Sequence, residues 1–145
     1  MKIKEKKIII TLISLFLIWN LIWVSVVNLR YNEFLKDIPK NKWGRYFKEK
    51  DGYIYSVKKP DYLRLTGNLA VNNNKKGEAL IIWPLMFGGY KYGFRLQKDG
   101  LAHEIYVDEH MEPINKENKV LIEKYNVELK QLFDKAKQMW EFDYK

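Results

Sequence analysis

An α+β chain is the fold class this sequence predicts: a single N-terminal transmembrane helix, then an antiparallel β-meander of about five strands packed by one long C-terminal helix. Three observations predict it. Ile8 to Leu29 is a run of 22 residues without a charge. Tyr53 to Val107 divides at turn signals into short segments, several of them alternating apolar and polar residues. Lys116 to Trp140 repeats its apolar residues at helical spacing.

The apolar run comes first. At 1.5 Å per residue it extends about 33 Å, enough for a hydrocarbon core of about 30 Å. Its polar members, Thr11, Ser14, Asn20, Ser25 and Asn28, are all uncharged. Asn20 lies near the middle and is a candidate for an interhelical hydrogen bond. A cleaved signal peptide would have a shorter apolar region closed by a pair of small residues. Here the first alanine is Ala70, and the chain has no cysteine for a lipid attachment. Residues 8–29 are therefore expected to be an uncleaved signal anchor. Residues 1–7 form a basic tail, 30–51 a basic juxtamembrane connector, and 52–145 an α+β domain. Lys2, Lys4, Lys6 and Lys7 against Glu5 place the tail in the cytoplasm under the positive-inside rule. The domain is then extracytoplasmic. The opposite flank is also basic, which makes the charge asymmetry small.

The net charge of +8 is unevenly spread. Residues 1–7 carry +3, residues 30–59 carry +5, and residues 60–145 balance 13 basic against 13 acidic side chains. The excess sits beside the bilayer, where each Lys or Arg near an anionic surface contributes about 1 kcal/mol. Lys36, Lys40, Lys42 and Lys48 are the candidate membrane-surface contacts. A neutral domain argues against a nucleic-acid partner. The expected partners are the lipid bilayer and a protein of the membrane or envelope.

Along the chain, Pro39 ends any continuation of the anchor helix. Asn41 to Asp51 reads as an irregular connector bearing Trp43, Tyr46 and Phe47. Tyr53 to Val57 is a first strand. Tyr62 to Val71 alternates, with Leu63, Leu65, Leu69 and Val71 on one side. Ala79 to Trp83 is a continuous apolar run suited to a central strand, and Pro84 stops it. Asp99-Gly100 favours a two-residue hairpin turn. In that register Tyr92 meets Val107, Phe94 meets Ile105, Leu96 meets His103, and Arg95 meets Glu104 on the other face. In the final helix Leu121, Ile122, Tyr125, Leu129, Leu132, Phe133, Ala136, Met139 and Trp140 form one stripe, with Val120 and Val127 outside it.

Chemistry is sparse. The chain lacks Gly-rich phosphate loops, and Ser56 is the one serine outside the apolar run. His103-Glu104 does not begin an HExxH motif, because Val107 stands where the second histidine belongs. Asp108, Glu109, His110 and Glu112 could hold a divalent metal, but a solvated strand end explains them as well. No cofactor is expected. The exposed aromatic loop Phe87, Gly88, Gly89, Tyr90 and Tyr92 is the candidate contact surface. These features point to a non-catalytic, membrane-anchored protein-binding domain: an accessory subunit, inhibitor or immunity-type factor. The alternative is a ligand- or envelope-polymer-binding module using the basic stalk and loop aromatics. A metal-assisted enzyme centred on Asp108 to Glu112 ranks third.

Overall fold

The structure is a computed structural model that describes residues 3–98 and 100–141. Helix α1 (Ile3–Tyr31) contains the whole apolar run. A 3-10 turn at Glu33–Leu35 follows, before Pro39. Val27, Tyr31, Phe34 and Ile38 are buried, at spacings of four, three and four. That spacing keeps one face of the helix and its trailing turn against the domain. The end of the apolar helix is therefore part of the core.

Six strands follow, not five: β1 (Tyr46–Lys50), β2 (Tyr53–Lys58), β3 (Asn68–Asn73), β4 (Glu78–Pro84), β5 (Tyr90–Lys98) and β6 (Leu101–Val107). They form one antiparallel meander in sequence order. The additional strand, β1, lies within Asn41 to Asp51, where the sequence reads as irregular. Its charged residues mask the pattern, as is common in edge strands. The turn that makes it is Asp51-Gly52, with both residues at positive φ (54° and 79°). Lys50 faces Tyr53 across it, the arrangement of a two-residue primed turn. The same dipeptide marks the β5–β6 hairpin.

That second hairpin has the predicted register, from Tyr92 opposite Val107 to Lys98 opposite Leu101. Asp99 of its turn lies outside the described residues. Arg95 and Glu104 form an ion pair at 2.6 Å on the solvent face. The first half of Tyr62 to Val71 differs from expectation. Only Asn68–Asn73 is strand; residues 59–67 leave the sheet and run along α1. Leu69 and Val71 are buried, whereas Leu63 and Leu65 are exposed.

One sheet face carries the core, including Val57, Leu69, Leu80, Ile82, Phe94 and Ile105. The C-terminal helix packs there, but broken rather than continuous. A 3-10 turn at Lys116–Asn118 leads into α2 (Lys119–Lys124), and α3 (Asn126–Trp140) follows after Tyr125 (φ −108°, ψ 18°). The break leaves the predicted stripe intact: Ile122, Tyr125, Leu129, Leu132, Phe133, Ala136 and Trp140 are all buried. Val120 and Val127 are exposed, as the spacing requires. Tyr92 packs on Phe133 at 5.1 Å between ring centroids, and Tyr55 stands edge-on to Trp140 at 6.0 Å.

Both sheet edges are partly covered. The backbone around Lys40 bridges to Tyr46 beside β1, and Pro113 bridges to Val107 beside β6. The Ile114 amide donates to the Tyr106 carbonyl at 2.9 Å. Such cover removes free backbone groups that would otherwise recruit another strand.

Candidate functional site at the helix–sheet junction

The strand order puts the 59–67, 85–89 and 108–112 connections at one end of the sheet. Two of the three are tied to α1, so this end adjoins the apolar helix.

The 59–67 loop follows the helix down and back. Lys59 Nζ donates to Asn28 Oδ1 and Asn32 Oδ1, each at 3.1 Å. Farther toward the N-terminus, the Tyr62 ring meets Trp23 edge-on at 5.4 Å. Its hydroxyl donates to Asn20 Oδ1. Trp23 Nε1 donates to the Arg64 carbonyl at 2.8 Å. The chain then returns, and the Gly67 amide donates to the Tyr31 hydroxyl at 2.6 Å. Asn20, the candidate for an interhelical hydrogen bond, accepts from this loop and donates to the Phe16 carbonyl at 2.7 Å.

Two backbone features shape the loop. A Cβ on Gly67 would stand 1.9 Å from the Lys58 carbonyl oxygen, so only glycine fits where the two ends of the loop meet. At the tip, Leu63 has φ of 61°, a left-handed conformation that costs a non-glycine residue roughly 1–2 kcal/mol.

The 85–89 loop is held by Arg30, whose Nη2 donates to the Gly89 carbonyl at 3.3 Å. The same guanidinium lies 5.1 Å from the centre of the Tyr90 ring. Gly88 and Gly89 have φ of 101° and 77°, with open space where a side chain would stand. Of the predicted contact residues, Phe87 is 97% exposed, Gly88 and Gly89 are exposed, and Tyr90 is half-buried. Tyr92 corrects the expectation: it is 4% exposed and belongs to the core against Phe133. Strand alternation explains this, since Tyr90 and Tyr92 point to the same, inner face.

On the opposite sheet face, a groove of about 480 Å³ opens at the same end. Thr66, Trp83, Leu85, Lys91, Tyr106 and Ile114 line it. Trp83 and Tyr106 lie 5.7 Å apart across Gly93. A Cβ there would meet the Trp83 ring at 2.8 Å, so the glycine lets the indole lie flat on the sheet. Trp83 ends the apolar run of the central strand, yet the pleat turns it outward and leaves it half-buried.

The basic stalk is divided. Lys36, Lys40 and Lys42 are exposed, while Lys48 is half-buried beside Asp37, Asp51 and Gln138. Lys42 lies over the Trp43 ring at 4.4 Å, and Lys40 over Tyr46 at 5.7 Å.

The acidic cluster builds a turn. Asp108 Oδ1 accepts from the amides of His110 and Glu112, both at 2.9 Å. Among the described residues, no group of three or more metal-ligating side chains converges. His103 stands opposite Leu96 as predicted, on the edge strand β6, and is exposed.

Burial pushes the phenols of Tyr55, Tyr90 and Tyr92 above the ordinary tyrosine value. For Tyr92 the neighbouring Tyr90 and Glu109 add to the effect; for Tyr90 the Arg30 charge opposes it. The folded state thus keeps protons that the unfolded chain releases near pH 10. Their contribution to stability is full below pH 10 and falls as pH climbs through the raised values. An alkaline titration should show part of the phenolate absorbance appearing late, together with unfolding. Ionisation of all ten tyrosines before unfolding would contradict this.

Comparison with protein-family models, with curated proteins and with solved structures finds no significant match.

Proposed function

We propose that this chain is a single-pass, membrane-anchored, non-catalytic binding protein. Its extracytoplasmic domain engages another protein held in or at the membrane, as an accessory subunit, inhibitor or immunity-type factor. Lys4, Lys6 and Lys7 before the apolar run support a cytoplasmic tail. The observation that carries the reading is the placement of the outward-facing aromatics. Phe87, Trp83 and Tyr106 belong to the end of the sheet that Arg30 and the 59–67 loop join to α1. A domain fixed to its anchor in this way presents those rings to a partner at the same height above the bilayer. Aromatic side chains in such positions are frequent energetic centres of protein interfaces.

A photoreactive amino acid in place of Phe87 tests the proposal in intact membranes. The control position is Lys75, exposed in the turn at the far end of the sheet. An ultraviolet-dependent adduct of one discrete mass is expected from position 87 and none from position 75. No adduct from either, or equal adducts from both, would refute a specific surface at this end. Labelling Lys75→Cys with a membrane-impermeant maleimide on intact cells reads the side, because the natural chain has no thiol. Absence of labelling until the cells are opened would reverse the assigned orientation.

A further inference from the structure

Resting on the reading of α1 as a membrane anchor, we propose that the tip of the 59–67 loop, Tyr62 to Leu65, inserts into the leaflet on the domain's side of the bilayer. The argument is one of length. A hydrocarbon core takes about 20 helical residues. Counted from Ile8, the first residue past the lysines, they end at Val27. The loop meets α1 at Asn20 and Trp23, about 6–10 Å inside that end. Counted instead from Ile3, the span ends at Ile22, and Asn20 is still within it. A loop bonded to Asn20 shares the membrane with the helix that carries Asn20.

The side chains suit that location. Tyr62, Leu63 and Leu65 are 57%, 46% and 42% exposed. Leu21, Ile22 and Val24, at the same level of α1 as Asn20 and Trp23, are exposed too, so helix and loop both present apolar side chains at this depth. The Tyr62 hydroxyl, which lies within the hydrocarbon core on either count, is satisfied by Asn20. Arg64 has a stem long enough to carry its charge up to the headgroup boundary. At the base of the loop Lys58 and Asp61 pair at 3.2 Å, and Lys59 stays at the level of Asn28 and Asn32. The left-handed Leu63 places an apolar side chain at the turn of the tip, where glycine would be the unstrained choice. The occupant of this surface is lipid acyl chain; a partner's transmembrane helix is the competing one.

The test uses the full chain, purified and reconstituted in phosphatidylcholine–phosphatidylglycerol vesicles with or without brominated acyl chains. Three variants, Ile18→Cys, Leu65→Cys and Lys75→Cys, each carry an environment-sensitive fluorophore. Where Leu65→Cys lowers the melting temperature, Leu63→Cys reads the same tip. Brominated lipid is expected to remove most of the emission at positions 18 and 65 and leave position 75 unchanged. Quenching at 18 with none at 65 overturns the insertion and leaves the anchor standing. A blue-shifted but unquenched label at 65 means that protein covers the tip, and also overturns it. No quenching at 18 overturns the anchor reading, and the insertion with it.

Discussion

Gly67→Ala is expected to destabilise the domain by about 3 kcal/mol or more, combining overpacking with loss of a buried hydrogen bond. The added carbon would stand 1.9 Å from the Lys58 carbonyl oxygen, with Lys59 and Pro60 backbone atoms at 2.8 Å. These are main-chain atoms that do not swing aside. Relief requires the two ends of the loop to part, which withdraws the Gly67 amide from the Tyr31 hydroxyl. Tryptic cleavage after Arg64 should then accelerate, because the tip loses its hold on Trp23. Gly52→Ala is the informative control. Gly52 has a positive φ of 79° but nothing within 4 Å of the added carbon, so its cost is the conformational one of about 1 kcal/mol. Urea unfolding of the full chain in detergent compares the two. Equal losses would show that space at the loop base is not the constraint.

Trp140→Ala should cost about 3–5 kcal/mol, the range for truncating a large aromatic in a core. The indole closes the far end of α3 over the sheet, edge-on to Tyr55. Its Nε1 donates at 3.1 Å to the Phe34 carbonyl, just past the end of α1. The residue thus joins the last helix to the turn that follows α1, across 106 positions of sequence. Trp140→Phe keeps most of the ring and loses the donor, so a smaller cost of about 1–2 kcal/mol is expected. Thermal unfolding of both variants should rank them alanine, phenylalanine, parent in rising stability. A Trp140→Ala chain that melts with the parent would mean that this joint contributes nothing.

Local pattern made much of the fold legible. The charge-free run, the apolar stripe of α2 and α3, and the β5–β6 register all depend on spacings of a few residues. Each recurs with the period of the element it forms. The missed strand shows the limit of that logic. Tyr46 to Lys50 carries three charges in five residues, and its identity depends on β2 offering a free edge. The Asp51-Gly52 dipeptide was its available local signal. Tyr62 to Leu65 is the opposite case, in which strand-like alternation is overridden because Tyr62 packs on Trp23 and bonds Asn20 outside the sheet.

The candidate site was less legible than the fold. Phe87, Gly88 and Gly89 are exposed because a tight loop between two strands has nowhere else to go. Tyr92 is two residues farther and buried, since β5 begins at Tyr90. Nothing in residues 20–31 or 59–67 announces that they touch, for they lie tens of positions apart. The Gly93 gap under Trp83 likewise exists only once β4 and β5 are in register.

By itself, then, the sequence determined an apolar helix long enough to cross a membrane, strands at regular intervals and an amphipathic C-terminal helix. Those properties follow from hydrophobic periodicity, which is local and additive along the chain. Only the tertiary structure decided that the apolar helix does not end where the domain begins. Tyr31, Phe34 and Ile38 are buried among residues from the sheet and α3, and a loop from the sheet descends beside Asn20. Contacts of that kind depend on which surfaces meet when the whole chain collapses, and no window of sequence contains both partners.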